Sequence, residues 1–156
     1  MPVIKPAQAI AESHKAGEDD PHGLGPYDAV LLSDSGGLTQ FGAFLETLHP
    51  GSQSSRQHWH ENEDEFIYMI SSEVVLLEND TETTLEPGDA ATFKAGTAVF
   101  HCLQNRSDQP ATYVVVGNRA EIDVFHYLDD GSRVERKGRK RTVFNAQGEI
   151  VREFER

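Results

Sequence analysis

Short apolar runs that alternate with turn residues dominate the chain from residue 27 onward. The runs are separated by clusters rich in Gly, Pro, Ser, Asn and Asp, and they occupy residues 28–34, 38–48, 65–70, 73–78, 81–85, 90–93, 98–105, 111–117 and 122–128. Many short strands at this spacing are typical of a β-sandwich or a β-barrel. No long stretch has the 3.6-residue period of an amphipathic helix, although residues 4–15 can form a short one. The pattern predicts an all-β protein.

The first part of the chain has a different character from the rest. Residues 1–26 are rich in Gly, Pro and charge, which predicts an irregular N-terminal arm, whereas residues 27–156 predict a single β domain. A chain of 156 residues fits one domain of ordinary size.

Residues 133–141 hold six of the 14 basic residues. We interpret this segment as a solvated hairpin edge, since Lys and Arg protect exposed strands; an anion-binding patch is the alternative.

Composition narrows the classes of partner and the cellular compartment. Lys plus Arg number 14 and Asp plus Glu number 26, so the formal net charge is −12. Such a chain repels nucleic acid and anionic membrane, and we expect neither as a partner. The single cysteine, Cys102, excludes an intrachain disulfide framework. No secretory signal and no run of about 20 apolar residues is evident, so we expect a cytoplasmic protein.

The stretch "HWHENEDEF", residues 58–66, carries the first candidate chemistry. On a strand, His58 and His60 would point to the same face, with Trp59 on the other. Glu65 opens the next apolar run and is close enough in sequence to fold back beside the two histidines. Two imidazoles at this spacing can reach one metal ion. Taken alone the pattern is equally consistent with a polar loop that happens to contain histidines.

A second polar stretch follows 36 residues after Glu65. His101, Leu103 and Asn105 would share one strand face, so His101 is a further candidate ligand. Arg56 has the same strand parity as the two earlier histidines. It is a candidate contact for an anionic group of a substrate, with a solvated strand-end arginine as the alternative.

The two stretches together resemble the two signature motifs of the cupin superfamily. The first motif, Gly then His-x-His then Glu then Gly, is represented by Gly51, His58, His60, Glu65 and Ser72. The second, Pro-Gly-Asp then Pro-x-Gly then His then Asn, is represented by Pro87, Gly88, Asp89, Lys94, Gly96, His101 and Asn105. The chain departs from the family at two positions, because Ser72 replaces a turn glycine and Lys94 replaces a proline. Ser72 would adopt a positive φ at some cost if that turn requires it.

The resemblance implies a double-stranded β-helix, or jelly roll, with one divalent transition metal ion inside the barrel. The ligands it implies are His58, His60, Glu65 and His101. Three imidazoles and one carboxylate suit Fe, Mn, Ni, Co or Zn and leave coordination positions open.

Three functions are compatible with this ligand set. The resemblance extends to small bacterial cupins, some of whose relatives carry the labels of sugar-phosphate isomerases. The chain is therefore interpreted as a metal-dependent isomerase of a small sugar-phosphate, hydroxy- or keto-compound. An Fe(II)-dependent dioxygenase and a non-catalytic module that binds a small metabolite are the alternatives. The residues that would carry out catalysis are not evident from the sequence.

The strand at residues 65–70 is apolar on both faces. Glu65, Ile67 and Met69 would face inward, which leaves Phe66, Tyr68 and Ile70 on the outside. A strand of this kind needs a cover on its outer side. We expect a homodimer that buries this stripe, as small cupins commonly form; cover by the N-terminal arm is the alternative.

Overall fold

The computed structural model describes residues 3–156 and confirms the all-β prediction. The first half of the chain forms β1 (Ile10–His14), β2 (Tyr27–Leu31), β3 (Phe41–Leu48), β4 (His58–His60), β5 (Glu65–Ser71), β6 (Val74–Glu78) and β7 (Thr81–Leu85). The second half forms β8 (Ala90–Phe93), β9 (His101–Gln104), β10 (Ala111–Asn118), β11 (Ile122–Tyr127), β12 (Arg133–Lys137), β13 (Lys140–Phe144) and β14 (Ile150–Glu155). A 3₁₀ turn at Pro6–Gln8 and a short helix α1 at Leu32–Ser35 complete the described elements.

The strands form two antiparallel sheets. One sheet has the order β1-β2-β3-β10-β5-β8, and the other has the order β14-β13-β12-β11-β4-β9-β6-β7. Neighbouring strands are often distant in sequence, which is the arrangement of a jelly roll rather than of simple hairpins. The core contains Leu48, Ile67, Met69, Val74, Leu76, Leu85, Ala91, Leu103, Ala111 and Tyr113.

The alternation along β5 follows the prediction. Ile67 and Met69 are buried in the core, whereas Phe66, Tyr68 and Ile70 have 38%, 43% and 46% of their surface exposed. Successive side chains of a strand point to opposite faces, so a strand with apolar residues at every position buries one set and exposes the other. β1, the strand of the N-terminal arm, does not cover this stripe, because three strands separate it from β5 in the same sheet.

Two local expectations are wrong. Residues 4–15 do not form a helix, because residues 10–14 pair with β2 from Ile10↔Leu31 to His14↔Tyr27, and the edge of a sheet satisfies their backbone groups. Part of the arm is therefore regular, although the division at residue 26 stays a prediction. Residues 133–141 do belong to a hairpin, β12–β13, but that hairpin is not an edge, since β14 pairs with β13.

The departure at Ser72 has a visible structural consequence. Ser72 has φ of 61°, in the left-handed region that favours glycine, between β5 and β6. A serine therefore occupies a conformation that glycine would adopt without strain. Among the described residues, no helix is both long and apolar enough to cross a membrane.

Candidate metal centre

The four candidate ligands lie together in the structure. His60 Nε2 lies 2.6 Å from Glu65 Oε1, and His58 Nε2 lies 3.4 Å from the same oxygen. His101 Nε2 lies 3.0 Å from the other carboxylate oxygen, Oε2. Three ring nitrogens of the same type therefore converge on one carboxylate.

Strand pairing produces this convergence. His58 and His60 lie on one face of β4, and His101 of β9 pairs directly with His58. The imidazole centroids are 5.0 Å apart for His58 and His60, and 4.9 Å apart for His58 and His101. Trp59 packs on the other side of β4, where it stacks on His126 at 4.4 Å, as the strand parity predicted.

Gly117 of β10 leaves the space that Glu65 needs. It pairs with Glu65 across β10 and β5. A Cβ atom at this position would lie 3.0 Å from the carbonyl oxygen of Asp64 and 4.0 Å from Cγ of Glu65. A side chain at residue 117 would therefore press against the backbone that presents the carboxylate.

Backbone carbonyls orient two of the imidazoles. His58 Nδ1 lies 2.8 Å from the carbonyl oxygen of Arg56, and His101 Nδ1 lies 3.3 Å from that of Val99. A carbonyl oxygen accepts a hydrogen bond, so each Nδ1 carries a proton. The Nε2 atoms are then the ones left to bind a metal.

The third imidazole is oriented by a carboxylate that sequence reasoning missed. His60 Nδ1 lies 2.6 Å from Asp123 Oδ2, and the N–H of Asn62 donates to Asp123 Oδ1 at 2.9 Å. Asp123 stands between Ile122 and Val124 in an apolar strand. A single Asp in an apolar run signals a buried carboxylate that needs a partner, but it does not identify that partner.

The electrostatics of the site are dominated by these contacts. Burial alone would raise the pKa of Glu65, but hydrogen bonds from His101, His58 and His60 hold that pKa well below its ordinary value. Burial alone would lower the pKa of His60, but its hydrogen bonds to Asp123 and Glu65 raise it to about 9. The pKa of Asp123 is lowered, because the bond from His60 and the bond from the Asn62 backbone outweigh burial. A metal at Nε2 of His60 would displace the proton held there.

The donor set fits a divalent transition metal. Ligand atoms of His58, His60 and Glu65 lie within 4.8 Å of one another, and His101 reaches the same carboxylate. Three neutral imidazoles and one carboxylate are a nitrogen and oxygen set of the kind that such metals prefer. In a second group, His60, Glu63 and Asp123, the ligand atoms also lie within 4.8 Å of one another. There Glu63 is already bound by Arg136 and by the N–H of Ala120, so the first group is the better site.

A cavity of about 180 Å³ opens beside these residues. Phe93 forms part of its wall and stacks on the His101 ring at 3.7 Å between centroids. The remaining lining includes apolar, hydroxyl and charged side chains, namely Trp59, His60, Glu63, Glu65, Glu78, Thr92, Lys94, Thr97, Val99 and His101.

Arg56, the candidate anion contact, is engaged elsewhere. Its guanidinium donates to Asp129 at 2.8 Å, forms an ion pair with Asp130 at 2.8 Å, and lies 3.9 Å from the centroid of the Tyr127 ring. Arg56 also does not line the 180 Å³ cavity. Two carboxylates that follow β11 neutralise its charge, so the structure offers no support for Arg56 as the group that binds an anionic substrate.

Comparison with known proteins agrees with this geometry. Residues 44–117 match the Cupin domain family. A crystal structure from Silicibacter pomeroyi, described as a sugar phosphate isomerase from a cupin superfamily, is 31% identical with a TM-score of 0.84. That match covers 97% of each chain. The chain belongs to the cupin superfamily. The resemblance drawn from the two motifs is thereby confirmed.

Other similar proteins have different descriptions. The tetracenomycin polyketide synthase protein TcmJ of Streptomyces glaucescens is 32% identical over 107 residues, which span 68% of this cupin and 64% of TcmJ. The cupin therefore matches somewhat less than two thirds of that relative. The polyketide cyclase RemF of Streptomyces resistomycificus is 18% identical with a TM-score of 0.60, and it covers 76% of this chain and 79% of its own. At that identity the likeness concerns the fold alone.

Proposed function

We propose that this cupin is a metal-dependent enzyme of the isomerase type that acts on a small sugar-phosphate, hydroxy- or keto-compound. The observation that carries the proposal is the convergence of three imidazole Nε2 atoms on Glu65 at the wall of a small cavity. The 31% identity over nearly the whole chain to a protein described as a sugar phosphate isomerase supports the same reaction class.

The proposed metal ligands are His58, His60, Glu65 and His101, which would hold one divalent transition ion. When bound, such an ion supplies a Lewis acid that stabilises negative charge developing on a substrate oxygen. The protein contributes fixed ligand orientation, since each Nδ1 atom already has an acceptor in the fold. Phe93, stacked on His101, shields one side of the site from water.

Glu78 is the proposed proton-transferring residue. It pairs with His101 across β6 and β9, on the same face as the buried Val74 and Leu76, and its side chain lines the cavity. Within residues 3–156 it has no ion pair, unlike Glu63, whose carboxylate is bound by Arg136 and by the N–H of Ala120. A free carboxylate beside the ligands can act as a general base.

The reaction that this arrangement supports is the exchange of a hydroxyl and a carbonyl on adjacent carbons. Glu78 would remove the proton from the hydroxyl-bearing carbon and return it to the carbon that carried the carbonyl. The hydroxyl proton moves to the former carbonyl oxygen, so atoms and electrons balance without an added oxidant. The cavity of about 180 Å³ is below the range of pockets for drug-sized ligands, which favours a small compound.

The test is proton exchange in heavy water. Metal-loaded protein is incubated in D₂O with a panel of small hydroxy-ketones, hydroxy-aldehydes and their phosphates, and NMR records deuterium at the carbon next to the carbonyl. We expect exchange with at least one compound and a loss of roughly 100-fold or more in Glu78→Gln. Glu73→Gln is the matched control, because Glu73 is exposed in the turn before β6.

Two other outcomes would overturn the proposal. Consumption of a compound that requires O₂, without isomer formation, would select the dioxygenase alternative. Binding of a compound with no exchange and no product, whichever divalent ion is loaded, would leave a non-catalytic binding module.

A further inference from the structure

We propose that Lys94 is the specificity-determining residue that binds a phosphate group on the ligand of this site. The inference rests on the proposed function, because it concerns the part of the ligand that extends away from the metal ligands. Lys94 lines the 180 Å³ cavity together with His60, Glu65 and His101. It also stands where the cupin motif has a proline, so it is a property of this chain rather than of the fold.

The charge distribution singles out Lys94. Glu63, Glu65 and Glu78 also line the cavity, and three carboxylates repel an anion. Arg136, which approaches from β12, is already paired with Glu63 and donates to the carbonyl oxygen of Ala120. Lys94 is the one lysine or arginine in the cavity lining, and it takes part in no ion pair among the described residues.

The backbone around Lys94 is fixed to the strands that carry the proposed ligands. The N–H of Ala95 donates to Asp64 Oδ1 at 2.7 Å, and the N–H of Gly96 donates to the carbonyl oxygen of His60 at 2.9 Å. The turn closes with a bond from the N–H of Thr97 to the carbonyl oxygen of Lys94 at 3.2 Å. The base of the lysine side chain is therefore held at a constant position relative to His60, while its flexible stem lets the ammonium group reach a ligand.

Lys94 also borders a second, wider cavity of about 600 Å³, which is more open to solvent and shares Glu65, Thr92, Phe93 and Lys94 with the first. Phe66 and Val116 of the outer sheet face line that cavity as well, so the phosphate is placed at its Lys94 edge rather than within it. A ligand held at the metal ligands by two oxygens would have its far end beside Lys94. A phosphate there keeps part of its hydration and gains a charge-assisted contact with the ammonium group.

The experiment uses two ligands that differ in one group. Dihydroxyacetone and dihydroxyacetone phosphate present the same hydroxy-ketone, and the second adds a phosphate. Calorimetry measures the dissociation constants of both for metal-loaded wild-type protein, Lys94→Met, Lys94→Arg and Lys137→Met. Lys137, an exposed residue of β12 outside both cavities, controls for the loss of one positive charge from the whole chain. Metal content and thermal unfolding establish that each variant is folded and loaded.

We expect Lys94→Met to weaken binding of the phosphate probe by about 10- to 100-fold, the usual range for a charge-assisted hydrogen bond. Binding of dihydroxyacetone should change little. Lys94→Arg should retain most of the phosphate affinity, and Lys137→Met should behave as wild type. Added NaCl should weaken phosphate binding more in the wild type than in Lys94→Met, because a partly exposed charge pair is screened by salt.

Equal losses for the two probes in Lys94→Met, or no loss for either, would overturn the assignment of Lys94 while leaving the proposed function in place. An equal loss of phosphate affinity in Lys137→Met would show a general effect of charge, and this result would also overturn the assignment of Lys94. If metal-loaded wild-type protein bound neither probe, that result would count against the proposed function. The assignment of Lys94, which rests on that function, would then be overturned too.

Discussion

His60 Nδ1 lies 2.6 Å from Oδ2 of Asp123, a residue with 0% of its surface exposed. The two residues are 63 positions apart and meet because β11 pairs with β4. The carboxylate accepts a hydrogen bond from Nδ1 and so directs Nε2 of His60 toward Glu65. A buried carboxylate with this partner sets both the tautomer and the orientation of the ring.

Asp123→Asn should weaken metal binding without removing any ligand. The amide is neutral and can turn either its oxygen or its NH₂ toward Nδ1, so the ring loses a charged acceptor. Changes of this kind usually cost about 10- to 100-fold in metal affinity. Competition with a chromophoric chelator measures the change. Asp108→Asn, at an exposed loop position, should bind metal as wild type does. Unchanged affinity in Asp123→Asn would show that the contact does not position the ring for a metal.

Replacing both His58 and His60 by alanine should abolish binding of a divalent transition ion. The protein as purified should contain about one such ion per chain, since the four residues form a single nitrogen and oxygen donor set. Elemental analysis of protein purified without added metal gives the occupancy, and circular dichroism verifies the fold. His49→Ala should retain the metal, because His49 is outside the four-residue donor set and its ring contacts Asp28. Full occupancy in the double variant would exclude these residues as the ligands.

The free energy of unfolding should fall as the pH rises, because Glu46 is a buried carboxyl group. Burial raises the pKa of Glu46 from its ordinary value of 4.5 to about 7, although the hydrogen bond from the Tyr113 hydroxyl acts in the opposite direction. A carboxyl with a raised pKa holds its proton more tightly in the folded chain than in the unfolded chain. Its contribution is therefore fully present below pH 4.5 and is lost as the pH rises to about 7.

The corresponding loss in the free energy of unfolding is on the order of 3 kcal/mol. Urea unfolding at a series of pH values, compared between wild type and Glu46→Gln, isolates this contribution from those of other carboxylates. Tyr113→Phe should enlarge the total loss and extend it to higher pH, because it removes the hydrogen bond that stabilises the ionised form. Parallel curves for wild type and Glu46→Gln would contradict the assignment.

Ser72→Gly should stabilise the fold. Ser72 has φ of 61°, and a non-glycine residue in this region costs roughly 1 kcal/mol. Glycine removes that cost but adds freedom to the unfolded chain, so we expect a net gain of about 0.5 kcal/mol in the free energy of unfolding. Asn79 is the comparison, with φ of 49° and a side-chain oxygen that accepts from the N–H of Phe100 at 3.1 Å. Asn79→Gly should lose stability, and a loss in both variants would argue against strain at Ser72.

We expect a homodimer that buries the outer face of β5. Phe66, Tyr68 and Ile70 are exposed there, and Val114 and Val116 of β10 lie beside them opposite Tyr68 and Phe66. A chain with a net charge of −12 repels its own copies, so an uncharged apolar face is the surface through which two copies can pack.

Light scattering at micromolar concentration should give twice the chain mass for wild type and a monomer for Tyr68→Glu. Ile150→Glu, at an exposed position of β14 in the other sheet, should stay dimeric. A monomeric wild type would rule out this interface.

The sequence by itself determined which residues share a strand face. Side chains alternate along any strand, so His58 and His60 had to point together, and Ile67 had to point away from Phe66, wherever the strands came to lie. The two motifs added His101 and Glu65, and the structure brings all four residues together. The strand pattern predicted a β-sandwich or a β-barrel, and the resemblance added that the fold is a jelly roll.

The tertiary structure decided what surrounds those residues. Three features depend on which distant strands pair and where their connecting turns end. They are the contact of His60 with Asp123, the neutralisation of Arg56 by Asp129 and Asp130, and the free charge of Lys94. A strand's own sequence determines which side chains share a face, but not which strand pairs with it or whether it lies at the edge of a sheet. β1 and β14, which form edges of the two sheets, also show this. Pairing between strands far apart in sequence is selected by the burial of the whole core, and that is a property of the complete fold rather than of any segment.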